Sequence, residues 1–124
     1  MLIRLRFSSN SCLCYKSRIE VRMLELRPIC ENCEKPLPPE STEALICSFE
    51  CTFCVSCNEK YLMDICPNCG GNFVPRPIRP VRNWKGDNYL GKYPASAKKK
   101  FRPVNATEHL AFAKKLSEIP PNQR

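Results

Sequence analysis

The fold is decided by residues 30–69, which read CENCEKPLPPESTEALICSFECTFCVSCNEKYLMDICPNC. Eight of these forty residues are cysteines, and they fall into four short-spaced pairs: Cys30-x2-Cys33, Cys47-x3-Cys51, Cys54-x2-Cys57 and Cys66-x2-Cys69. A structural zinc ion takes four ligands in a tetrahedron, and two such pairs brought together in space can supply them. The sequence therefore predicts two closed four-cysteine sites and two Zn²⁺ ions per chain.

The four pairs can be divided between two sites in two ways. In a sequential arrangement the first pair joins the second, and the third joins the fourth. In a cross-brace the first pair joins the third, which gives site 1 as Cys30, Cys33, Cys54 and Cys57, and site 2 as Cys47, Cys51, Cys66 and Cys69. The spacing resembles that of the RING finger, with Cys51 where most RING fingers have histidine, and this resemblance favours the cross-brace. Spacing fixes the pairs better than it fixes their partners.

Disulfides and an iron–sulfur cluster are the competing uses for these thiols. Arginines interrupt the N-terminal residues 2–7 before an apolar signal sequence can form, so we expect no export, a cytoplasmic location and reduced cysteines. The run Cys51-x2-Cys54-x2-Cys57 followed by Cys66-Pro67 is similar to a bacterial ferredoxin motif, but its last gap is eight residues instead of three. Both alternatives are weaker than zinc. Closed four-thiolate sites leave no position for water, so hydrolytic zinc chemistry is not expected.

Charge divides the 124-residue chain into three parts. Residues 1–22 have five Lys/Arg and one acidic residue, and we expect a disordered basic extension. Residues 23–74, the cysteine module, have three Lys/Arg and eight acidic residues, a net charge of −5. Residues 75–124, the C-terminal segment, are rich in proline and carry twelve Lys/Arg and three acidic residues, a net charge of +9. We expect the basic parts to pair with the acidic module, and nucleic acid or an acidic partner is the alternative.

Local patterns predict a small metal-stabilised α+β fold with a short β-hairpin, one short helix and an extended basic tail ending in a helix. Residues 24–29 alternate apolar and charged side chains, which indicates a strand. Residues 44–47 form the next expected strand, residues 48–50 the turn after it, and residues 73–74 a closing strand. A short helix is expected over residues 55–63. The glycines after Cys69 allow the positive φ angles of a tight metal-binding turn.

The last helix is expected over about residues 107–119. Thr107 can cap its start, and Phe112, Leu116 and Ile119 fall on one face, which indicates that the helix docks on another surface. His109, the single histidine, is expected to be a solvated helix residue and not a ligand. Cys12 and Cys14 are too closely spaced for a zinc site, and we exclude them from the metal ligands.

Residues 23–80 are similar to a family of small bacterial proteins, the domain of unknown function 1272. The segments that carry the resemblance are Met23-Leu24-Glu25-Leu26-Arg27-Pro28, Leu37-Pro38-Pro39, Ile46-Cys47-Ser48-Phe49-Glu50-Cys51-Thr52-Phe53-Cys54 and Cys66-Pro67-Asn68-Cys69-Gly70-Gly71. Arg76-Pro77 and Arg79-Pro80 are similar to the basic tail of that family. The resemblance implies that Met23 is the usual start. It implies no activity, because the family is uncharacterised.

We therefore expect a zinc-binding structural or protein-interaction module that is not an enzyme. The alternative is nucleic-acid binding through residues 75–124, with Trp84, Tyr89 and Tyr93 stacking on bases. Ubiquitin-ligase activity would rest on fold analogy alone, and Glu31, Asn32 and Gly70 stand where ligase-type RING fingers carry apolar and basic residues. No apolar run is long enough to cross a membrane.

Overall fold

A computed structural model describes residues 23–124. The basic extension 1–22, with Cys12 and Cys14, lies outside the described residues. The described part contains a three-stranded antiparallel sheet with strands β1 (Ala44–Ile46), β2 (Thr52–Cys54) and β3 (Val74–Pro75). β1 lies in the middle, paired with β2 on one side and β3 on the other.

β1 and β2 form the expected hairpin, in which Leu45 faces Phe53 across the ladder. The turn between the strands carries Glu50 at φ 68°, and the Glu50 N–H donates to the carbonyl of Cys47 at 3.0 Å. The closing strand is displaced by one residue from the expected 73–74, because Val74 and not Phe73 faces Ile46. Phe73 is buried in the core instead.

Four short helical elements follow or flank the sheet. They are α1 (Val55–Cys57), a π-helical turn (Asn58–Leu62), α2 (Ala106–Leu116) and a 3₁₀ turn (Pro121–Gln123). The expected range for α2 is about residues 107–119; the helix starts within one residue of that range, but it ends three residues earlier, and Thr107 is not its cap. The Asn105 side chain caps it by accepting from the Glu108 N–H at 3.0 Å. Asparagine is as favourable at this position as threonine, and Thr107 lies inside the first turn.

Cysteines make up about half of the buried core. The remaining core side chains are mainly Leu37, Phe53, Leu62 and Phe73. The rings of Phe53 and Phe73 meet edge to face, with centroids 5.5 Å apart. Such a small apolar core supplies limited stabilisation, so the clustered thiols occupy the position where a metal would contribute most to folding.

The expected strand over residues 24–29 is absent. A single bridge joins Ile29 to Pro36, and no neighbouring strand of the described chain runs beside residues 24–28. The C-terminal segment lies beside these residues and forms isolated hydrogen bonds with them. For example, the Ser96 N–H donates to the Leu26 carbonyl at 3.0 Å. Alternation of apolar residues therefore marked a partly buried extended segment, not a sheet strand.

The C-terminal segment contacts the cysteine module along much of its length. The Arg102 N–H donates to the carbonyl of Glu31 at 2.8 Å, and the Val104 N–H donates to Asn32 Oδ1 at 2.8 Å. α2 contacts the π-helical turn. Among the helices of residues 23–124, none is both long and apolar enough to cross a membrane.

Candidate metal centres

The first cluster brings together two cysteine pairs that are distant in sequence. The sulfur atoms of Cys30, Cys33, Cys54 and Cys57 lie within 4.8 Å of one another. Cys30 and Cys33 lie on one turn, which is closed by the Glu34 N–H donating to the Cys30 carbonyl. Cys54 ends β2 and Cys57 ends α1. Three of these thiols are buried and Cys33 is exposed at the edge. The first and third pairs therefore form one group of four possible ligands.

N–H groups donate hydrogen bonds to sulfur atoms of the first cluster. The Cys57 backbone N–H donates to Cys54 Sγ at 3.4 Å, and the Asn32 side-chain amide donates to Cys57 Sγ at 3.2 Å. Such donors stabilise a thiolate over a thiol, and they orient metal ligands as outer-shell partners do. Burial raises the pKa of Cys30 and of Cys57, so a bound cation would be needed to hold these thiols ionised.

The second cluster contains Cys47, Cys51 and Cys66, whose sulfur atoms also lie within 4.8 Å of one another. All three are buried. Cys47 and Cys51 flank the hairpin turn between β1 and β2, and the Phe49 N–H donates to Cys47 Sγ at 3.3 Å. The second pair thus meets a member of the fourth pair.

Cys69, the eighth predicted ligand, is exposed and is not part of this close group of three sulfur atoms. It lies on a tight turn in which the Gly70 N–H donates to the carbonyl of Cys66 at 2.8 Å. Gly70 has φ 81°, the left-handed value expected for a metal-binding turn, whereas Gly71 does not have a positive φ. The Gly71 N–H donates to Cys69 Sγ at 3.3 Å, so this sulfur has the same kind of partner as the buried ones.

The thiols of the second cluster perturb one another strongly. The hydrogen bond between Cys51 and Cys66 lowers the pKa of Cys51 to about 5, against the opposing effect of burial, and raises the pKa of Cys66. Burial raises the pKa of Cys47 to about 11. The two thiols therefore titrate as a coupled pair, in which a hydrogen bond from one sulfur favours the thiolate of the other.

Glu31 links the two clusters, and sequence reasoning did not identify this role. Its side chain is fully buried. Its carboxylate accepts from four donors: Arg27 Nη1 at 2.9 Å, the Thr52 N–H at 3.2 Å, Asn68 Nδ2 at 3.2 Å and Arg102 Nη2 at 2.8 Å. Because Glu31 lies inside the first cysteine pair and Asn68 inside the fourth, this carboxylate fixes one cluster relative to the other.

Arginines of the C-terminal segment bind mainly backbone carbonyls of the module. Arg76 is buried, and it donates to the carbonyls of Arg27 at 2.9 Å, Leu37 at 3.1 Å and Pro38 at 2.9 Å. Burial lowers the pKa of the Arg76 guanidinium. Within residues 23–124 the single ion pair between segment and module is Arg102–Glu31. The basic segment thus contacts the acidic module as expected, although most of the acceptors are carbonyl oxygens and not carboxylates.

His109 is buried, so the prediction of a solvated residue was wrong. Its Nε2 lies 2.8 Å from the carbonyl of Leu62, at the end of the π-helical turn. Since a carbonyl can only accept, Nε2 carries the proton in this bond. His109 is not among the metal-ligating groups of the described chain. This hydrogen bond holds α2 against the module. His109, Phe112 and Ala113 are spaced i, i+3 and i+4, and this helical spacing could have identified His109 as part of the docking face.

The three aromatic residues considered for nucleic-acid binding have different surroundings. Trp84 is 73% exposed. Tyr89 and Tyr93 are partly buried. Atoms of the Tyr89 ring lie within about 3 Å of where a side chain at Gly91 would begin, so this ring packs against the backbone there.

The donor sets of both clusters fit a thiophilic metal ion. The first offers four sulfur atoms and the second three, with Cys69 on the adjoining turn, and N–H donors lie on the sulfur atoms of both. Burying several thiolates in an apolar core is costly unless a cation neutralises them. Both clusters can therefore hold a metal ion.

Comparison with known proteins agrees with this description. The family described as "Protein of unknown function (DUF1272)" matches residues 23–79. An uncharacterized protein of Rhizobium meliloti (strain 1021) is 52% identical over 81 residues, covering 65% of this chain and 89% of the relative. No solved structure matches the chain. The matched residues contain both clusters and Arg76, and the chain belongs to the DUF1272 family.

Proposed function

We propose that the protein is a zinc-binding structural module that carries one Zn²⁺ in each cysteine cluster and serves to bind another protein. The observation that carries the proposal is the meeting of Cys30, Cys33, Cys54 and Cys57 within 4.8 Å. Four sulfur ligands with no position left for water make a closed structural site. Zn²⁺ suits such a set because it is soft enough for thiolates and imposes no geometry beyond the tetrahedron.

We further propose that the two ions are bound in a RING-like cross-brace. In this arrangement the first pair shares an ion with the third, and the second pair shares an ion with the fourth. The grouping of Cys47 and Cys51 with Cys66 supports it, since a sequential arrangement would need the second pair beside the first. A shift of the Cys69 side chain on its exposed turn would complete the second site.

The proposed role is not catalytic. Glu31 and Asn32, the residues between the first two cysteines, are engaged by Arg102 and Val104 of the C-terminal segment. Ligase-type RING fingers usually carry an apolar residue at these positions, so two engaged polar residues favour a different interaction surface. Phe49, 70% exposed on the turn between β1 and β2, is the proposed contact residue, because its backbone is held by the Cys47 sulfur.

Metal content tests the zinc proposal directly. Protein purified without oxygen or chelator is analysed by elemental analysis, by native mass spectrometry and by visible absorption. We expect two zinc ions per chain and no visible colour. Removing the metal should unfold the module, because metal binding supplies much of the folding free energy of small domains. Circular dichroism before and after addition of a chelator follows this loss.

Two results would contradict the proposal. Iron with visible absorption would assign the clusters to an iron–sulfur centre, and a folded metal-free protein would show that the thiols are ordinary core residues. A Cys12→Ser variant provides the control, since Cys12 is not among the proposed ligands and its loss should leave two zinc ions bound. The result for the interaction surface is independent: Phe49→Ala should keep both ions and the fold.

A further inference from the structure

The single tryptophan of the chain is among its most exposed apolar side chains. Trp84 is 73% exposed, and every residue from 81 to 88 is exposed. Tryptophan has a large apolar ring system, so a partner that covers the ring gains a favourable burial of apolar surface. The neighbouring Val81 is 69% exposed.

The loop that carries Trp84 is closed by its own hydrogen bonds. We call residues 80–90 the tryptophan loop. Its ends are joined by a bond of 2.9 Å from the Leu90 N–H to the Pro80 carbonyl. Inside the loop, Asn83 and Asp87 bond to each other twice, through side chain to side chain at 2.8 Å and Asp87 N–H to Asn83 Oδ1 at 3.0 Å. These three hydrogen bonds, between two pairs of residues, hold the loop in one conformation.

A tight turn forms the tip of the tryptophan loop, directly after Trp84. Gly86 and Asp87 both have positive φ angles, 57° and 64°, and the Asn88 N–H donates to the Lys85 carbonyl at 3.0 Å. Two successive positive φ values define a type I′ turn, which glycine and aspartate accommodate well. Trp84 therefore projects from a rigid scaffold, which reduces the conformational entropy lost when its ring is covered.

Charge around Trp84 indicates the kind of partner. Arg82 and Lys85 flank it, and within residues 23–124 neither forms an ion pair. The acidic residue of the loop, Asp87, is held by Asn83. The whole segment 75–124 has a net charge of +9. An exposed aromatic face between free cations is complementary to a polyanion that also offers flat apolar faces.

From this geometry we propose that the tryptophan loop binds single-stranded nucleic acid, with a base stacked on Trp84 and phosphates held by Arg82 and Lys85. Stacking on an exposed aromatic residue is the usual way in which proteins hold unpaired bases, and it needs no particular sequence. Tyr89 and Tyr93 are assigned no part, because both are partly buried and the Tyr89 ring packs against Gly91.

A membrane surface fits the loop less well than nucleic acid. Interfacial anchors present an amphipathic helix or several apolar side chains together. Val81 is the one other exposed large apolar residue of the tryptophan loop, and the residues closest to Trp84 are polar or charged: Arg82, Asn83, Lys85, Asp87 and Asn88. One aromatic ring framed by polar side chains gives stacking area for a base and little apolar area for insertion.

The test uses the full-length metal-loaded chain with a fluorescein-labelled oligothymidylate of about 20 nucleotides. Binding is measured by anisotropy, and the fluorescence of Trp84 reports on the stacked ring itself because the chain has one tryptophan. We expect quenching of that fluorescence on binding. We expect Trp84→Ala to weaken binding by about 5- to 150-fold. The double variant Arg82→Gln/Lys85→Gln should reduce the slope of log K against log salt by about 1.4.

Two matched controls separate the loop from general effects. Tyr61→Ala removes another exposed aromatic side chain, 45% exposed, from the acidic module and should leave binding unchanged. Lys114→Gln/Lys115→Gln removes two exposed cations from the last turn of α2 and should weaken binding less than the loop double variant.

The proposal is overturned if Trp84→Ala binds as tightly as the native chain, or if binding leaves Trp84 fluorescence unchanged. Equal affinity for a duplex of the same length, or binding to anionic phosphatidylglycerol vesicles in place of the oligonucleotide, would overturn it as well.

Discussion

Arg102 Nη2 lies 2.8 Å from Glu31 Oε1, an ion pair between residues 71 positions apart in the sequence. The Glu31 side chain is fully buried, and the Arg102 side chain is 53% exposed. The same carboxylate bonds Asn68, which lies within the fourth cysteine pair. The C-terminal segment, the first cysteine pair and the fourth therefore meet at one buried charge.

Removing that charge should destabilise the fold strongly. For Glu31→Gln we expect a loss of about 3 kcal/mol in the free energy of unfolding, because a buried guanidinium loses its partner. The value lies at the low end for buried pairs, since Arg27 keeps its bond to Glu25 at 3.1 Å. Denaturant unfolding with excess zinc measures the loss.

Arg102, the half-exposed partner of Glu31, should contribute less to the free energy of unfolding. Arg102→Ala removes a half-exposed arginine, and we expect a loss of about 1 kcal/mol or less. Glu59→Gln, a change at an exposed glutamate of the π-helical turn, is the control and should be neutral. Equal losses for Glu31→Gln and Arg102→Ala would show that burial does not decide the strength of this network.

The two cysteines of the fourth pair should respond differently to substitution. Cys66 is fully buried in the core, so Cys66→Ser should abolish the second site and unfold much of the module. Cys69 is exposed, and in Cys69→Ser the three remaining sulfur atoms can hold zinc with water as the fourth ligand. Native mass spectrometry should find two zinc ions in Cys69→Ser, bound more weakly. Loss of the second ion from both variants alike would contradict this difference.

Gly70 should be the least replaceable glycine of the module. Its φ is 81°, and an added Cβ would lie 3.0 Å from Leu116 Cδ1 of α2. We expect Gly70→Ala to cost roughly 1–2 kcal/mol through backbone strain, and more if α2 cannot shift. Gly71→Ala is the matched control, because Gly71 lacks the positive φ and its Cβ would lie 3.4 Å from Cys69 Sγ. Thermal unfolding compares the two, and equal melting temperatures would exclude the strain argument.

His109 should contribute to docking of α2 through one hydrogen bond. His109→Phe keeps a ring of similar size but leaves the Leu62 carbonyl without its donor, and we expect a loss of about 1–3 kcal/mol. Leu110→Ala, at the next and exposed position of α2, should change stability by less than about 0.5 kcal/mol. Hydrogen exchange of α2 amides gives a local measure. Unchanged protection in His109→Phe would show that packing of Phe112 and Leu116 suffices.

Much of the candidate site could be predicted from spacing alone. Cysteines two or three residues apart must lie on one turn, so the pairs followed directly from the sequence. The hairpin between β1 and β2 also followed, because the short turn of residues 48–50 separates two runs of residues that favour strands. The positive φ of Gly70 was predicted from the same local geometry, whereas that of Glu50, in the hairpin turn, was not. Local rules identify the residues that tolerate such angles and miss the ones that are forced into them.

The C-terminal segment was predicted least well. Its net charge predicted pairing with the acidic module and did not predict that Arg76 and Arg79 would bind carbonyls of that module. Every peptide unit offers such an acceptor, so the sequence gives no sign of which one an arginine will reach. The burial of His109 depends on Leu62, 47 positions away.

The sequence by itself determined the four cysteine pairs, the short hairpin and the existence of a final amphipathic helix. These are local properties, set by ligand spacing and by the periodicity of apolar residues. Tertiary structure decided which pairs meet, the burial of Glu31 between them, and the exposure of Trp84 on a closed loop. Those outcomes depend on contacts between residues far apart in the chain, where many partners compete and packing selects one.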